Sequence, residues 1–236
     1  MAEAGDGIEV FPGGWSFSED VAERFDDHVA RSIPLYEQGH ELIARISDYF
    51  LPTGSLCYEL GCSTGRLLER LGRRHVSREV RFVGVDNQAG MVVRARSRCQ
   101  SLASVKVLRG DLRDLQFDTS SLVISYYTCQ FVDPEHRLSL FQSIARALSK
   151  GGAFVLFEKV LAPSARAQDV LSGVYTTFKR EQGYSADEII AKAESLRGVL
   201  RPLSIAENHR LLRRAGFQEI APIFGYACFA GFLAIR

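Results

Sequence analysis

Between residues 55 and 157 the chain switches hydrophobic period again and again. Short apolar runs at 55–60, 81–85, 105–108 and 122–126 have strand length. They alternate with helical spacing at 66–71, 88–101 and 135–148, and a fifth run at 153–157 follows the turn Lys150-Gly151-Gly152. Parallel strands need crossovers long enough to hold a helix, so this alternation predicts an α/β fold with a doubly wound parallel sheet. A helix at 205–215, stopped by Gly216-Phe217, and strands at 220–224 and 231–235 complete seven strands. Helices at 167–182 and 185–196 interrupt the alternation after the fifth strand, so residues 160–203 read as a helical insertion or lid. Upstream, Ser18 is placed to cap a helix with Glu19 and Asp20 in its first turn, and Pro34 breaks that region. A second helix at 35–50 carries Leu42, Ile43, Ile46 and Phe50 on one stripe. Residues 1–18 read as a flexible tail with an aromatic pair, Trp15 and Phe17, and residues 19–236 as one domain.

Composition narrows the partners. A net charge of about +1 gives no broad field for nucleic acid or a membrane surface, so neither is expected as a partner. Arg66, Arg70, Arg73, Arg74, Arg78 and Arg81 are concentrated, but they suit the solvated face and end of one helix better than a phosphate site. Cysteines at 57, 62, 99, 129 and 228 are odd in number and form no CxxC pair, which argues against a disulfide framework and against zinc; no metal is expected. No apolar run is long enough to span a bilayer and the N-terminus lacks a leader pattern, so the expected location is cytoplasmic.

In an open parallel sheet, ligands bind beyond the carboxyl ends of the strands. Three sets of residues fall there. The first is Gly61-Cys62-Ser63-Thr64-Gly65, where small residues let backbone approach a ligand. A nicotinamide enzyme would want G-x-G-x-x-G, but Ser63 holds the middle position and Gly65 comes one residue early. An ordinary strand-to-helix turn also explains this loop taken alone. The second is Asp86, 25 residues after Gly61, where a carboxylate accepts both hydroxyls of a ribose; Asn87 beside it can reach the sugar or base. Both residue types are also good helix caps. The third is Gly110-Asp111-Leu112: a carboxylate after the third strand can accept an adenine amino group while the next backbone N–H donates to the ring. The coincidence of all three sets at successive strand ends outweighs the alternative for each, and points to S-adenosylmethionine rather than a nicotinamide dinucleotide. In methyltransferases an acidic residue at the place of Glu59 helps hold the amino-acid part of that cofactor.

On these residues, and on residues 31–36 (RSIPLY), 58–63 (YELGCS), 110–114 (GDLRD), 178–185 (FKREQGYS) and 214–217 (RAGF), the chain resembles the carboxy-S-adenosylmethionine synthase branch of the class I methyltransferases. The resemblance runs from about residue 17 to 236, and the first and fourth segments are not general methyltransferase motifs. It implies a seven-stranded Rossmann-like sheet whose last strand runs antiparallel, and a homodimer. It further implies cofactor contacts from Tyr36, Gly61, Cys62, Ser63, Asp86, Asn87, Asp111 and Leu112, to which Glu59 and Gly65 are added from the loop. In that branch the enzyme joins S-adenosylmethionine to a carboxylate from prephenate, for wobble-uridine modification of tRNA.

Two positions depart from the branch. Tyr126 stands where an asparagine ends the fourth strand beside the cofactor, and Leu211 stands where an arginine of the last helix grips the added carboxylate. Arg210 and Arg213 flank Leu211, but one residue turns a helix by about 100°. Loss of that clamp leads to a first reading: methyl transfer from S-adenosylmethionine to a small-molecule acceptor, amino-acid-like or a natural-product intermediate. The second reading is a carboxy-S-adenosylmethionine synthase using prephenate, and the third a non-catalytic S-adenosylmethionine-binding module. Candidate catalytic residues are Tyr126 and Tyr127 after the fourth strand, Glu158 after the fifth, and His209. Glu158 would act as a base or hold a cationic acceptor, unless it pairs with Lys159 or Arg180. Tyr175, Phe178, Lys179 and Arg180 are candidates to line the lid, or simply to fill core.

Overall fold

The structure, a computed structural model, describes residues 2–17 and 19–236. Ser18, the expected helix cap, lies outside the described residues. Strands β1 (Ala2–Glu3) and β2 (Glu9–Val10) form a small antiparallel hairpin, followed by helices α1 (Glu19–Ser32) and α2 (Tyr36–Phe50). The sheet then begins: β3 (Leu56–Leu60), α3 (Arg66–Arg74), β4 (Arg81–Asp86), α4 (Ala89–Cys99), β5 (Val105–Arg109), β6 (Ser120–Tyr126), α5 (Pro134–Ala147) and β7 (Leu148–Leu161). The insertion holds α6 (Ala165–Glu181), α7 (Ala186–Ser195) and a short β8 (Leu203–Ser204). The chain closes with α8 (Ile205–Ala215), β9 (Glu219–Tyr226) and β10 (Phe229–Ile235).

Strand order is β5-β4-β3-β6-β7-β10-β9, with β3 to β7 parallel and β10 antiparallel to both of its neighbours. This is the expected doubly wound architecture. The order reverses between β3 and β6, and that switch point opens a crevice above the carboxyl ends of the strands. The central strands are buried on both faces, which is why β3 reads as an unbroken apolar run in which only Glu59 is charged. One apolar layer packs α2, α3 and α4 on the sheet; the other packs α5 and α8 on the opposite face.

Helix ends follow local chemistry. Ser185 with Glu188, and Ser204 with Glu207, form capping boxes that start α7 and α8, and Gly216 at φ 110° stops α8. The expected turn at 150–152 is instead absorbed into β7. Leu148 pairs with Ser120 but Ala153 with Leu122, so the intervening residues bulge, and Gly151 takes φ 77°. The parallel pairing of β8 with the end of β7 has no signal in the sequence.

The N-terminal stretch corrects the reading of a flexible tail. Ala4, Ile8, Val10 and Trp15 are buried against Val21, Phe25, Val29 and Ala191, with the Trp15 and Phe17 rings edge to face at 5.7 Å. The arginine-rich stretch is largely spent on ion pairs: Arg66 and Arg70 with Glu37, Arg73 with Glu69, and Arg74 with Asp48. Among the described residues, no helix is long and apolar enough to cross a membrane.

Candidate active site

A cleft of about 540 Å³ lies over the switch point. Its floor is the carboxyl ends of β3 to β7; its roof comes from α1, α2, the segment before α1 and the insertion. Tyr36, Glu59, Gly61, Cys62, Ser63, Asp86, Asn87, Asp111, Leu112, Tyr126 and Tyr127 all border it.

The floor is built around Asp86. Its carboxylate accepts the Ser63 N–H at 3.0 Å and the Gln88 N–H at 2.9 Å, bracing the loop after β3 against the start of α4. Ser63 pays for this with a left-handed φ of 48°, unusual for a residue other than glycine and often found at ligand sites. Gly61, at φ 69°, lies so close to the Thr128 side chain that a Cβ there would overlap it. Gly65, predicted to face the ligand, does not border the cleft. It starts α3 at φ 79° with its backbone against Ala95, so its smallness serves the packing of α3 on α4.

Glu59 is buried on the same side, and its Oε2 has no partner among the described residues. Burial, and then the neighbouring Asp86 charge, push its carboxyl well above the usual range. Burial likewise raises Asp86, against the pull of its backbone N–H donors. Two buried carboxyls with an open face are suited to a ligand that brings hydroxyls and a cation. S-adenosylmethionine carries both, so the residues present fit it. Asp111 sits farther out on the β5 side, its carboxylate already gripped by the Arg113 guanidinium at 2.7 and 2.9 Å.

The β6 side is aromatic. The Tyr126 hydroxyl donates to the Tyr36 carbonyl at 2.7 Å, and its ring lies within 5.0 Å of Tyr36, His40, Tyr127 and Phe157. This tyrosine fits only because residue 39 is glycine, whose missing Cβ would overlap its hydroxyl. Burial pushes both the Tyr126 and the Tyr127 phenol well above their usual range, so they serve as neutral donors and walls, not as bases. Burial also lowers His28 to about 4 and His40 to about 3, leaving neutral imidazoles on the roof.

Two predicted catalytic residues are not at the cleft. Glu158 is 1% exposed, points away from it, and accepts the Gln130 N–H at 3.1 Å in the field of Arg137 rather than of Lys159 or Arg180. Side chains alternate along a strand, so while Glu158 turns away, Lys159 borders the cleft. His209 is exposed on α8, which packs on α5 on the far face of the sheet. Leu211 is half-buried in that same apolar layer and does not border the cleft. Of the lid candidates, Tyr175 borders the cleft while Lys179 is buried beside it. Sequence reasoning missed His28, His40 and Lys192, none of which sits in a recognisable motif.

The methyltransferase domain family matches residues 58–152, the β3-to-β7 core of the cleft floor. The carboxy-S-adenosyl-L-methionine synthase of Staphylococcus epidermidis is 34% identical over 95% of this chain and 98% of its own length. That of Wolinella succinogenes is 38% identical over 93% of this chain and 92% of its own. The chain belongs to the carboxy-S-adenosyl-L-methionine synthase family. Family membership makes it a class I S-adenosylmethionine-dependent enzyme, with S-adenosylmethionine as cofactor or substrate. A crystal structure of a SAM-dependent methyltransferase from Aquifex aeolicus shares the fold, with a TM-score of 0.61 at 14% identity over 93% of this chain and 99% of that one. Of the two positions expected from the sequence to depart from the family's pattern, Tyr126 borders the cleft and Leu211 does not.

Proposed function

We propose that this chain makes carboxy-S-adenosyl-L-methionine, joining S-adenosylmethionine to a carboxylate from prephenate. One observation carries the reading. The two segments that resemble this branch in particular, 31–36 and 178–185, meet behind the roof of the cleft, which Ser32, Ile33 and Tyr36 border. The Arg31 guanidinium donates to the Gln182 carbonyl at 2.7 and 3.1 Å, and the Ser32 hydroxyl lies 3.3 Å from that of Tyr184. The Tyr175 hydroxyl also donates to the Ser32 carbonyl at 2.8 Å. These contacts tie α6 to α1 outside the general methyltransferase core, so the branch-specific sequence shapes the roof. The Leu211 argument for plain methyl transfer loses its force, because within this chain Leu211 faces apolar core.

S-adenosylmethionine would supply an activated sulfonium whose methyl carbon is the site of modification. The chain's own residues bind and orient. Glu59 would hold the cationic amino-acid part, Asp86 the ribose hydroxyls, and Asp111 with Leu112 the adenine edge. Tyr126 and Tyr36 form a rigid wall, and Tyr127 would offer a hydroxyl donor to the bound substrates. Trp15, Phe17 and the roof helices exclude water. Homodimer formation and a cytoplasmic location are part of the same reading. Five unpaired, buried cysteines suit a reducing compartment.

The test is mass spectrometry of the nucleoside that co-purifies, and of products formed from S-adenosylmethionine with and without prephenate. The reading expects a carboxylated adduct that depends on prephenate. Release of S-adenosylhomocysteine on adding small acceptors, with no carboxylated species, would favour direct methyl transfer instead.

A further inference from the structure

The chain has 29 basic residues but only five lysines, at 106, 150, 159, 179 and 192. Three of the five gather at the β7 side of the cleft, away from Asp86 and Asp111. Lys159 ends β7 and Lys192 comes from α7; both border the cleft. Lys179 is buried beside them on α6. The Lys159 and Lys179 ammonium groups lie 4.8 and 4.6 Å from the centre of the Tyr175 ring, and Lys192 sits over the Trp15 ring, 3.3 Å from His28 Nε2. None of the three is in an ion pair among the described residues, whereas the arginines of this protein are widely paired.

The charged groups facing them do not balance the cluster. The Asp6 carboxylate acts on Lys192, but it is already engaged by Arg31, His28 and Tyr184. Glu158 turns away toward Arg137, and the Cys228 thiol is pushed up by burial and stays neutral. Burial, and then repulsion from Lys159, lowers Lys179 to about 8; burial, and then Lys179, depresses Lys192 well below its usual value. A fold that collects three desolvated cations without a counter-charge has left room for one. A second observation points the same way. Tyr127 borders the cleft with only 6% of its surface exposed, and its buried hydroxyl has no hydrogen-bond partner among the described residues.

We propose that Lys159, Lys179 and Lys192, with the Tyr127 hydroxyl, form an anion subsite that takes a carboxylate-bearing second substrate. Trp15, Tyr175 and Phe229 border the same part of the cleft and would flank that substrate's apolar part. This rests on the carboxy-S-adenosylmethionine reading above and names what recognises its carboxyl donor. A dianion fits better than a monoanion, because more than one cation is left to neutralise.

The test is calorimetric titration of prephenate, and separately of malonate, into protein saturated with S-adenosylhomocysteine, so that no turnover is needed. Lys159→Gln and Lys192→Gln should each weaken dianion binding by about tenfold or more, while S-adenosylhomocysteine affinity stays within about twofold. Lys159→Arg should recover part of the loss. Unchanged dianion affinity in both glutamine variants overturns the subsite, as does a wild-type protein that binds neither anion. If a variant fails to fold, the wild-type protein carries the test: raising salt from roughly 50 to 300 mM should weaken dianion binding roughly fivefold, and salt-insensitive binding overturns the proposal. The two readings fail separately. Glutamine variants that carboxylate at an unchanged KM for prephenate remove the subsite and leave the synthase. A wild-type protein that binds the dianion through these lysines yet forms no carboxylated product removes the synthase and leaves the subsite.

Discussion

The two ends of the cleft differ in charge and in origin. At the β3–β5 end, Glu59, Asp86 and Asp111 each leave the carboxyl end of a strand, and two of them are buried carboxyls raised by their surroundings. At the β7 end, Lys159, Lys179 and Lys192 come from a strand and two inserted helices, and all three are lowered. Burial penalises charge at both ends, with opposite sign. The acidic end is suited to a ligand bearing a cation and hydroxyls, and the basic end to an anion. The cleft is therefore polarised along the sheet, an arrangement that would orient the two unlike substrates proposed above before any side chain acts on them.

The sharpest way to break this contrast is at Asp86. Asp86→Ala removes the carboxylate that braces Ser63 and Gln88 and that is proposed to hold the ribose. S-adenosylhomocysteine affinity should fall on the order of a hundredfold by calorimetry. A loss below about threefold would mean that the nucleoside does not sit at this end. Next comes the wall between the two ends. Gly39→Ala forces a Cβ into the Tyr126 hydroxyl, so overpacking should cost about 1–3 kcal/mol in denaturant melts and reduce turnover more than S-adenosylhomocysteine binding. Unchanged stability would show that Tyr126 has another rotamer available.

Titration sharpens the basic end. With Lys179 at about 8, raising pH from 7 to 9.5 removes positive charge there, so dianion affinity should fall several-fold, roughly threefold to tenfold, while S-adenosylhomocysteine affinity changes little. A pH-independent dianion affinity would exclude Lys179 from the subsite. The smallest effect is expected at Glu158. Burial raises its carboxyl to about 8, above the unfolded value, so the folded state favours the protonated form. Its contribution to stability is full below the unfolded pKa and fades as pH rises through about 8. Glu158→Gln should therefore flatten the fall in stability across that window, and change turnover by less than about threefold. A loss of activity beyond about a hundredfold would restore Glu158 as a catalytic group.

The same contrast explains what could be read from the sequence. Asp86 and Asp111 were legible because each follows a strand whose end is marked by its own apolar run, and the sheet order then aligns them. Gly65 was misassigned because a small residue in a strand-to-helix loop serves a ligand and a neighbouring helix equally well. Glu158 and Lys159 show how fine the margin is: a one-residue step at a strand end exchanged the cleft-facing side chain for the buried one. Leu211 misled because α8 lies on the opposite face of the sheet, a fact of topology rather than of spacing. Lys192 left no local trace, and Lys179, legible only as a lid candidate, had nothing to place it beside Lys159, since only the docking of α6 and α7 against α1 and the N-terminal hairpin brings the three together. The N-terminal stretch read as loose because its apolar residues are few, and part of their cover, Ala191, is distant in sequence.

The most direct test of a polarised cleft is a crystal structure with S-adenosylhomocysteine and prephenate bound together. The account predicts adenine against Asp111, ribose hydroxyls on Asp86, and a prephenate carboxylate about 3 Å from Lys159 or Lys192 Nζ. Prephenate bound elsewhere, or a nucleoside seated at the lysine end, would contradict it.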